Sequence, residues 1–229
     1  WDYHVTEALR TTEDEAVAMV ADSIAHLVSA GRTVFFDAEH FFDGYAANPT
    51  FALAVVAAAA RAGAAAVVLC DTNGGALPFD VQRVVGEVVS YLDGLCGVGI
   101  HCHNDSGCAV ANSLAAVRGG ATQVQGTLTG YGERVGNANL TTIIPDLSMK
   151  MGVDTLPEER LRVLTPVSHH IAELVNMTLD PQAPYVGGSA FAHKAGLHTS
   201  AIARRPDAYE HVDPDSVGNG SRFLVSEMA

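Results

Sequence analysis

The stretch VGIHCHND at 98–105 decides the fold and marks where chemistry can sit. An apolar run leads directly into two histidines and an Asn-Asp pair, so a buried strand ends in a polar cluster. Residues i and i+2 of a strand point to the same face, so His101 and His103 converge on one spot. A divalent cation is the usual reason to pair two neutral imidazoles, with hydrogen-bonded barrel histidines as the competing reading. Such a pair needs oxygen ligands as well, and Asn137 or a carboxylate can supply them.

The same texture recurs on either side. TVFF at 33–36 leads to Asp37-Ala38-Glu39-His40, and AVVLC at 66–70 leads to Asp71-Thr72-Asn73-Gly74-Gly75. TQVQGTL at 122–128 leads to the loop GYGERVGN at 130–137. Apolar residues at most positions predict strands buried on both faces, as in parallel sheets. Helical stretches fall between them at 12–30, 49–62, 79–93 and 107–118, with another at 138–150. Thr12 before three acidic residues, and Pro49 and Pro78 near helix starts, supply start signals. The β-α-β-α order implies right-handed crossovers and a parallel sheet whose strand ends gather on one face, where active sites lie. Four polar clusters in succession point to a site rather than to capping loops. The texture changes after about residue 152. One helical segment is expected over 155–178, then a Pro/Gly-rich loop and the stretch FAHKAGLHTSAIARR at 191–205. The expected division is 1–152 and 153–229.

Among the 229 residues, 48% are hydrophobic and 17% charged, which provides for a sizeable core. Lys and Arg total 13 against 26 Asp and Glu, a formal charge of -13. That balance argues against nucleic acid or an anionic membrane as partner, since nothing would neutralise their phosphates. An anionic ligand must then be held locally, by a metal or by helix N-termini. The four cysteines (Cys70, Cys96, Cys102, Cys108) are too few and irregular for a disulfide scaffold. Cys102 and Cys108 read as buried thiols, and a reducing, cytoplasmic setting follows. Residues 51–70 read as a helix and a buried strand rather than a membrane span, because Arg61 would cost about 2.5–3.5 kcal/mol in a bilayer. The chain starts at Trp1 without Met, so the beginning of a longer protein is expected upstream.

Other candidates are less decisive. Glu39 has the chemistry of a general base, with a solvated loop carboxylate as the alternative. On a continuing strand Glu39 and His40 would face opposite ways. Thr72 and Asn73 precede Gly74-Gly75, where exposed backbone N–H groups could hold a carboxylate or phosphate, although as a phosphate loop the signal is weak because no Walker or dinucleotide pattern is met. His193 and His198 flank Lys194 without zinc-protease spacing, and His169-His170 read as structural.

DAEHFFDGY (37–45), LCDTNGG (69–75), GIHCHND (99–105), QGTLTGYGERVGNANL (125–140), SAFAHKAGLH (189–198) and YEHVDPDSVGN (209–219) together are informative. They resemble the citramalate synthase branch of a metal-dependent enzyme group. That group also contains isopropylmalate synthase, homocitrate synthase and hydroxymethylglutaryl-CoA lyase. The resemblance covers essentially the whole chain, including HVTEALRTTEDEAVAM at 4–19. It implies the C-terminal half of a (β/α)8 TIM barrel followed by a small, mostly helical linker subdomain. It also implies a divalent metal (Zn, Mn or Mg) on His101, His103 and Asn137, with the Asp-Arg-Glu stretch for the remaining ligand and an activating Arg outside this sequence. Thr72 falls on the residue contacting the 2-oxo acid carboxylate, and Glu39 on the acid/base Glu. His198, with Tyr209 near it, falls on a His that reaches the barrel of the neighbouring subunit. Thr129-Gly130 stands where the group commonly has Asn-Gly.

The implied reaction is a Claisen condensation of acetyl-CoA with pyruvate to citramalate, in branched-chain amino-acid (isoleucine) biosynthesis, by a cytoplasmic homodimer. The alternatives are isopropylmalate or homocitrate synthesis from another 2-oxo acid, the reverse lyase reaction, and a non-catalytic fragment serving only subunit contacts. The lyase branch carries a Cys in the loop that here reads GYGERVGN. Without the Asp-Arg-Glu strand, the 229 residues alone are expected to be inactive.

Overall fold

Three acidic residues after a threonine start the first long helix, α1 (Glu13–Ser29), and the Thr12 hydroxyl accepts the Glu15 N–H at 3.2 Å. A single π-helical turn, His4–Ala8, precedes it. The computed structural model describes residues 1–224. Strand β1 (Phe35–Ala38) is followed by two helices, α2 (Phe41–Ala47) and α3 (Pro49–Arg61). The Asn48 side chain caps α3 by accepting from Phe51 N–H at 3.1 Å, and Pro49 occupies its first position, where no N–H is needed. Then come β2 (Ala66–Asp71), α4 (Pro78–Leu92), β3 (Gly97–Cys102), α5 (Ala109–Arg118) and β4 (Gln123–Gln125). All pairings are parallel in the order β1-β2-β3-β4, as the alternating pattern predicts.

Burial divides the sheet. β2 is buried along its whole length and β3 along most of it, and Val81, Val84, Val85 and Val88 of α4 are buried as well. The expectation of four strands buried on both faces fails at β1 and β4, which end the sheet; Phe35 is 54% exposed. Residues 51–70 form most of α3 and most of β2, as expected, and among the described residues no helix is long and apolar enough to cross a membrane. Cys102 is buried, but Cys108, ahead of α5, is only half-buried, contrary to expectation.

The chain groups into two compact units: residues 1–127 with 131–138, and residues 128–130 with those from 139 onward. The helix expected at 138–150 thus packs with the second unit, as α6 (Leu140–Pro145) and a π-helical turn over Asp146–Lys150. The single helix expected over 155–178 is instead two, α7 (Glu158–Leu161) and α8 (Leu164–Leu174). Pro166 lacks an N–H and its ring would meet the Arg162 carbonyl in a continuous helix, so the break falls there. A two-residue parallel pair, β5 (Ala192–His193) with β6 (Arg222–Phe223), brackets α9 (Gly196–Ile202). Leu164, Ala183, Tyr185, Val186, Phe191 and Val217 form this unit's core.

Candidate active site

Strand β3 delivers the two histidines as the i, i+2 spacing predicts. His101 and His103 have ring centroids 5.4 Å apart. His103 lies just beyond the strand, where its N–H bonds to Asp71 O at 3.2 Å, and it bridges Asn137 in the returning loop. Backbone bonds on either side, Asn104 N–H to Gly136 O (3.0 Å) and Ala138 N–H to Cys102 O (2.9 Å), fix that loop against β3. The Asn137 amide donates to Tyr131 O at 3.3 Å, which turns its oxygen away. Gly132 packs so closely that a methyl group there would overlap the Asn137 amide.

Two electron-pair donors are left over. His103 Nδ1 and Asn137 Oδ1 are buried without a hydrogen-bond partner. Orphaned buried polar atoms are costly, and coordination of an ion is among the ordinary reasons for them. His103's pKa is held below the usual histidine value by burial first, then by Arg134 and His101. The ring is therefore kept in its neutral, ligating form. Among the described residues no three His, Cys, Asp or Glu side chains are arranged to hold a metal. The set here is two imidazoles and an amide oxygen, with the chemistry of a borderline divalent cation site.

The loop after β2 corrects one expectation. Its N–H groups are not free for a ligand, because Asp71, only 3% exposed, takes them: Gly75 N–H at 3.2 Å and Ala76 N–H at 3.2–3.3 Å. Asn112 of α5 adds a longer contact to the same carboxylate at 3.4 Å. Burial still raises the Asp71 pKa, against the pull of these N–H bonds. Gly74, at φ +65°, abuts Asp105 so tightly that a side chain could not be placed there. Thr72 is half-buried at this loop, and its hydroxyl accepts the His40 N–H at 2.7 Å.

Glu39 lies exposed beyond the end of β1, beside an apolar cavity of about 200 Å³ lined by Trp1, Val5, Phe41 and Phe51. The strand alternation expected for Glu39 and His40 does not hold. β1 stops at Ala38, and His40 turns into the left-handed region at φ +56°, its ring 3.3 Å from Asp43. Arg134 ties the loops together: it pairs with Asp105 at 2.8 and 3.0 Å and donates to Thr72 O at 2.6 Å. Its guanidinium holds the Asp105 carboxyl below the usual carboxylate range. The first unit thus carries Glu39, Thr72, His101, His103 and Asn137 at its strand ends. Asp71, Asp37, Gln125 and Arg134 were not singled out from sequence. The signal for Arg134 was its place inside the GYGERVGN loop, and Asp71 and Asp37 stood in clusters that had been marked.

The second unit holds its own group. His198 is half-buried and stacks on the exposed Tyr209, with centroids 4.1 Å apart. His193 Nε2 lies 3.6 Å from the buried Glu210, which also accepts from the Ser221 hydroxyl at 2.5 Å. Lys194 is exposed, and His169 and His170 lie on the exposed face of α8 rather than in the core.

The model of the HMGL-like family matches residues 2–169, and that of the "Homocitrate synthase post-HMGL domain-like" family matches 185–228. An (R)-citramalate synthase of Streptomyces coelicolor is 60% identical over 228 residues, covering 100% of this chain and 42% of that protein. An (R)-citramalate synthase of Synechocystis is 54% identical over 236 aligned residues, covering 100% of this chain and 43% of that protein. The chain therefore spans less than half the length of these curated relatives. The fold is similar to that of the Bacillus subtilis HMG-CoA lyase, with a TM-score of 0.62 at 19% identity over 78% of this chain and 62% of that one. By the family model that matches residues 2–169, the chain belongs to the HMGL-like family.

Proposed function

We propose that the full-length protein condenses acetyl-CoA with pyruvate, releasing citramalate and CoA. What carries this reading in the geometry is the pair of orphaned donors, His103 Nδ1 and Asn137 Oδ1, beside the second imidazole of His101. What directs it to pyruvate is the 60% and 54% identity to (R)-citramalate synthases along the whole chain. His101, His103 and Asn137 would hold a divalent cation, Zn, Mn or Mg. Held there, such a cation would supply Lewis-acid polarisation of a 2-oxo acid carbonyl and positive charge within a protein of formal charge -13.

The chain's own residues do the remaining work. Thr72 already accepts the His40 N–H, so its hydroxyl proton is free to bond the pyruvate carboxylate. His198, assisted by Glu39, takes a proton from the acetyl methyl group; the resulting carbanion bonds to the ketone carbon, the C=O π pair moves to oxygen, and that oxygen takes the proton back from His198. Water then cleaves the thioester, leaving citramalate and the CoA thiol. Tyr209, stacked on His198, orients that ring. In this reading residues 1–152 are the second half of a barrel and 153–229 a linker whose His198 serves the barrel of a second copy in a homodimer. The protein works in the cytoplasm, in the branched-chain (isoleucine) route.

The test is CoA-thiol release by the full-length protein with a divalent metal. Pyruvate should be turned over faster than 2-oxoisovalerate or 2-oxoglutarate. An equal or reversed preference overturns the pyruvate assignment in favour of isopropylmalate or homocitrate synthesis.

A further inference from the structure

We infer that Gln125 is a positioning residue that fixes which nitrogen of His101 faces the site, and that Asp37 fixes Gln125. Registry places the three side chains together. His101 pairs with Cys70 and Gln125, and Asp37 pairs with Val68, which in turn pairs with Gly99. Register partners share a face, and residues two apart on one strand share it too, so Asp37, His101 and Gln125 line a single face of the sheet. Across a flat sheet β1 and β4 would stand roughly 14 Å apart, three strand spacings. Yet the Gln125 amide donates to Asp37 Oδ1 at 3.0 Å, so the sheet curls until side chains of its two outermost strands meet over the face they share.

That contact removes an ambiguity. A carboxylate only accepts hydrogen bonds, so the Gln125 NH2 group must face Asp37 and its oxygen must face His101. Gln125 Oε1 lies 3.0 Å from His101 Nδ1. An amide oxygen only accepts, so Nδ1 carries the proton and the lone pair of His101 sits on Nε2. Ring orientation and tautomer are therefore set from a carboxylate at the far edge of the sheet, through one amide. His103 has no such partner, since its Nδ1 is buried and unpaired. Of the two imidazoles, the protein pre-orients one. An outer hydrogen bond of this kind raises ligand basicity and holds ring geometry, and its removal typically costs about 10–100-fold in metal affinity.

The consequence for metal binding rests on the cation reading above, whereas the tautomer of His101 does not, and the experiment separates the two. In the metal-free full-length protein with 15N-labelled histidine, His101 is assigned by the signals lost in His101→Gln. It should show a protonated Nδ1 and a bare Nε2. Gln125→Leu should abolish that fixed pattern, and Asp37→Asn, which can donate as well as accept, should blur it. Mn2+ titration followed by electron paramagnetic resonance should show affinity falling about 10–100-fold in Gln125→Leu. Gln125→Glu combined with Asp37→Asn, which keeps an acceptor toward His101 and puts the donor on residue 37, should recover most of it. An unchanged His101 pattern and unchanged Mn2+ affinity in a folded Gln125→Leu protein overturn the inference. If the wild type binds no Mn2+, the cation reading falls, and the ring-nitrogen pattern alone decides the role of Gln125.

Discussion

Thr129 adopts φ +66°, a left-handed backbone that a β-branched residue rarely occupies. The cost for an L-residue there is roughly 1–2 kcal/mol, and asparagine bears it with less strain because its short polar side chain bonds locally. This gives a physical meaning to the Thr129-Gly130 pair, which departs from the Asn-Gly that the sequence resemblance implies. Thr129→Asn is expected to raise stability by about 1 kcal/mol, seen as a higher urea midpoint with an unchanged slope. A lower midpoint would mean that the Thr129 hydroxyl bond to Leu128 O matters more than the strain. In the sequence the position was visible only as a departure; the reason needs the backbone angle. Gln125 was hidden in the same way. It reads as an ordinary strand residue until the curl of the sheet brings it to Asp37.

Between strands and helices, the pattern of apolar runs and caps located β1 to β4 and α1, α3, α4 and α5 to within a few residues. It did not reveal α2, whose sequence FFDGYAA contains a glycine and follows a left-handed His40 with no side-chain cap. Nor did it reveal how the loop after β2 is held. Asp71 lies at a strand end, where a polar residue reads as a candidate ligand-binding group, yet its carboxylate satisfies the Gly75 and Ala76 N–H groups. A buried acceptor with charge-assisted bonds behaves as part of the loop's own framework. Asp71→Ala would take the acceptor from these part-buried N–H groups and from the buried Asn112 amide, and each unsatisfied buried group costs about 1–3 kcal/mol. The expected loss is about 2–4 kcal/mol in urea unfolding, and Asp71→Asn, which keeps one oxygen, should lose less than half as much. Equal losses in the two variants would show that charge, rather than the acceptor, is what the loop requires.

At the scale of the molecule, the two compact units are stabilised by different means. The first has a four-stranded sheet with a fully buried strand, and its architecture could be read from periodicity alone. The second has a small core, and polar groups hold its irregular segments: Thr165 bonds Val217 O at 2.8 Å, and Asn219 bonds Tyr185 O and Gly187 O at 2.8 and 3.1 Å. Periodicity carries no information about such bonds, which is why this unit was legible only as helical and turn-rich. Tyr185 is buried at its centre, and its hydroxyl donates to Asp146 at 2.6 Å. Burial raises the phenol's pKa above its usual value near 10, and the bond to Asp146 raises it further. Between the ordinary value and the raised one, the folded chain keeps the proton while the unfolded chain releases it, so raising the pH draws the protein toward unfolding. The stability that Tyr185 contributes is therefore complete below about pH 10 and is lost as the pH climbs through the folded value. Tyr185→Phe should cost about 1.5–3 kcal/mol at neutral pH, the range for a hydrogen bond to a charged group. It should also flatten the alkaline decline in stability. Urea midpoints at pH 8 and pH 10.5, wild type against variant, measure both effects. An alkaline decline equally steep in the variant would place its origin in some group other than Tyr185.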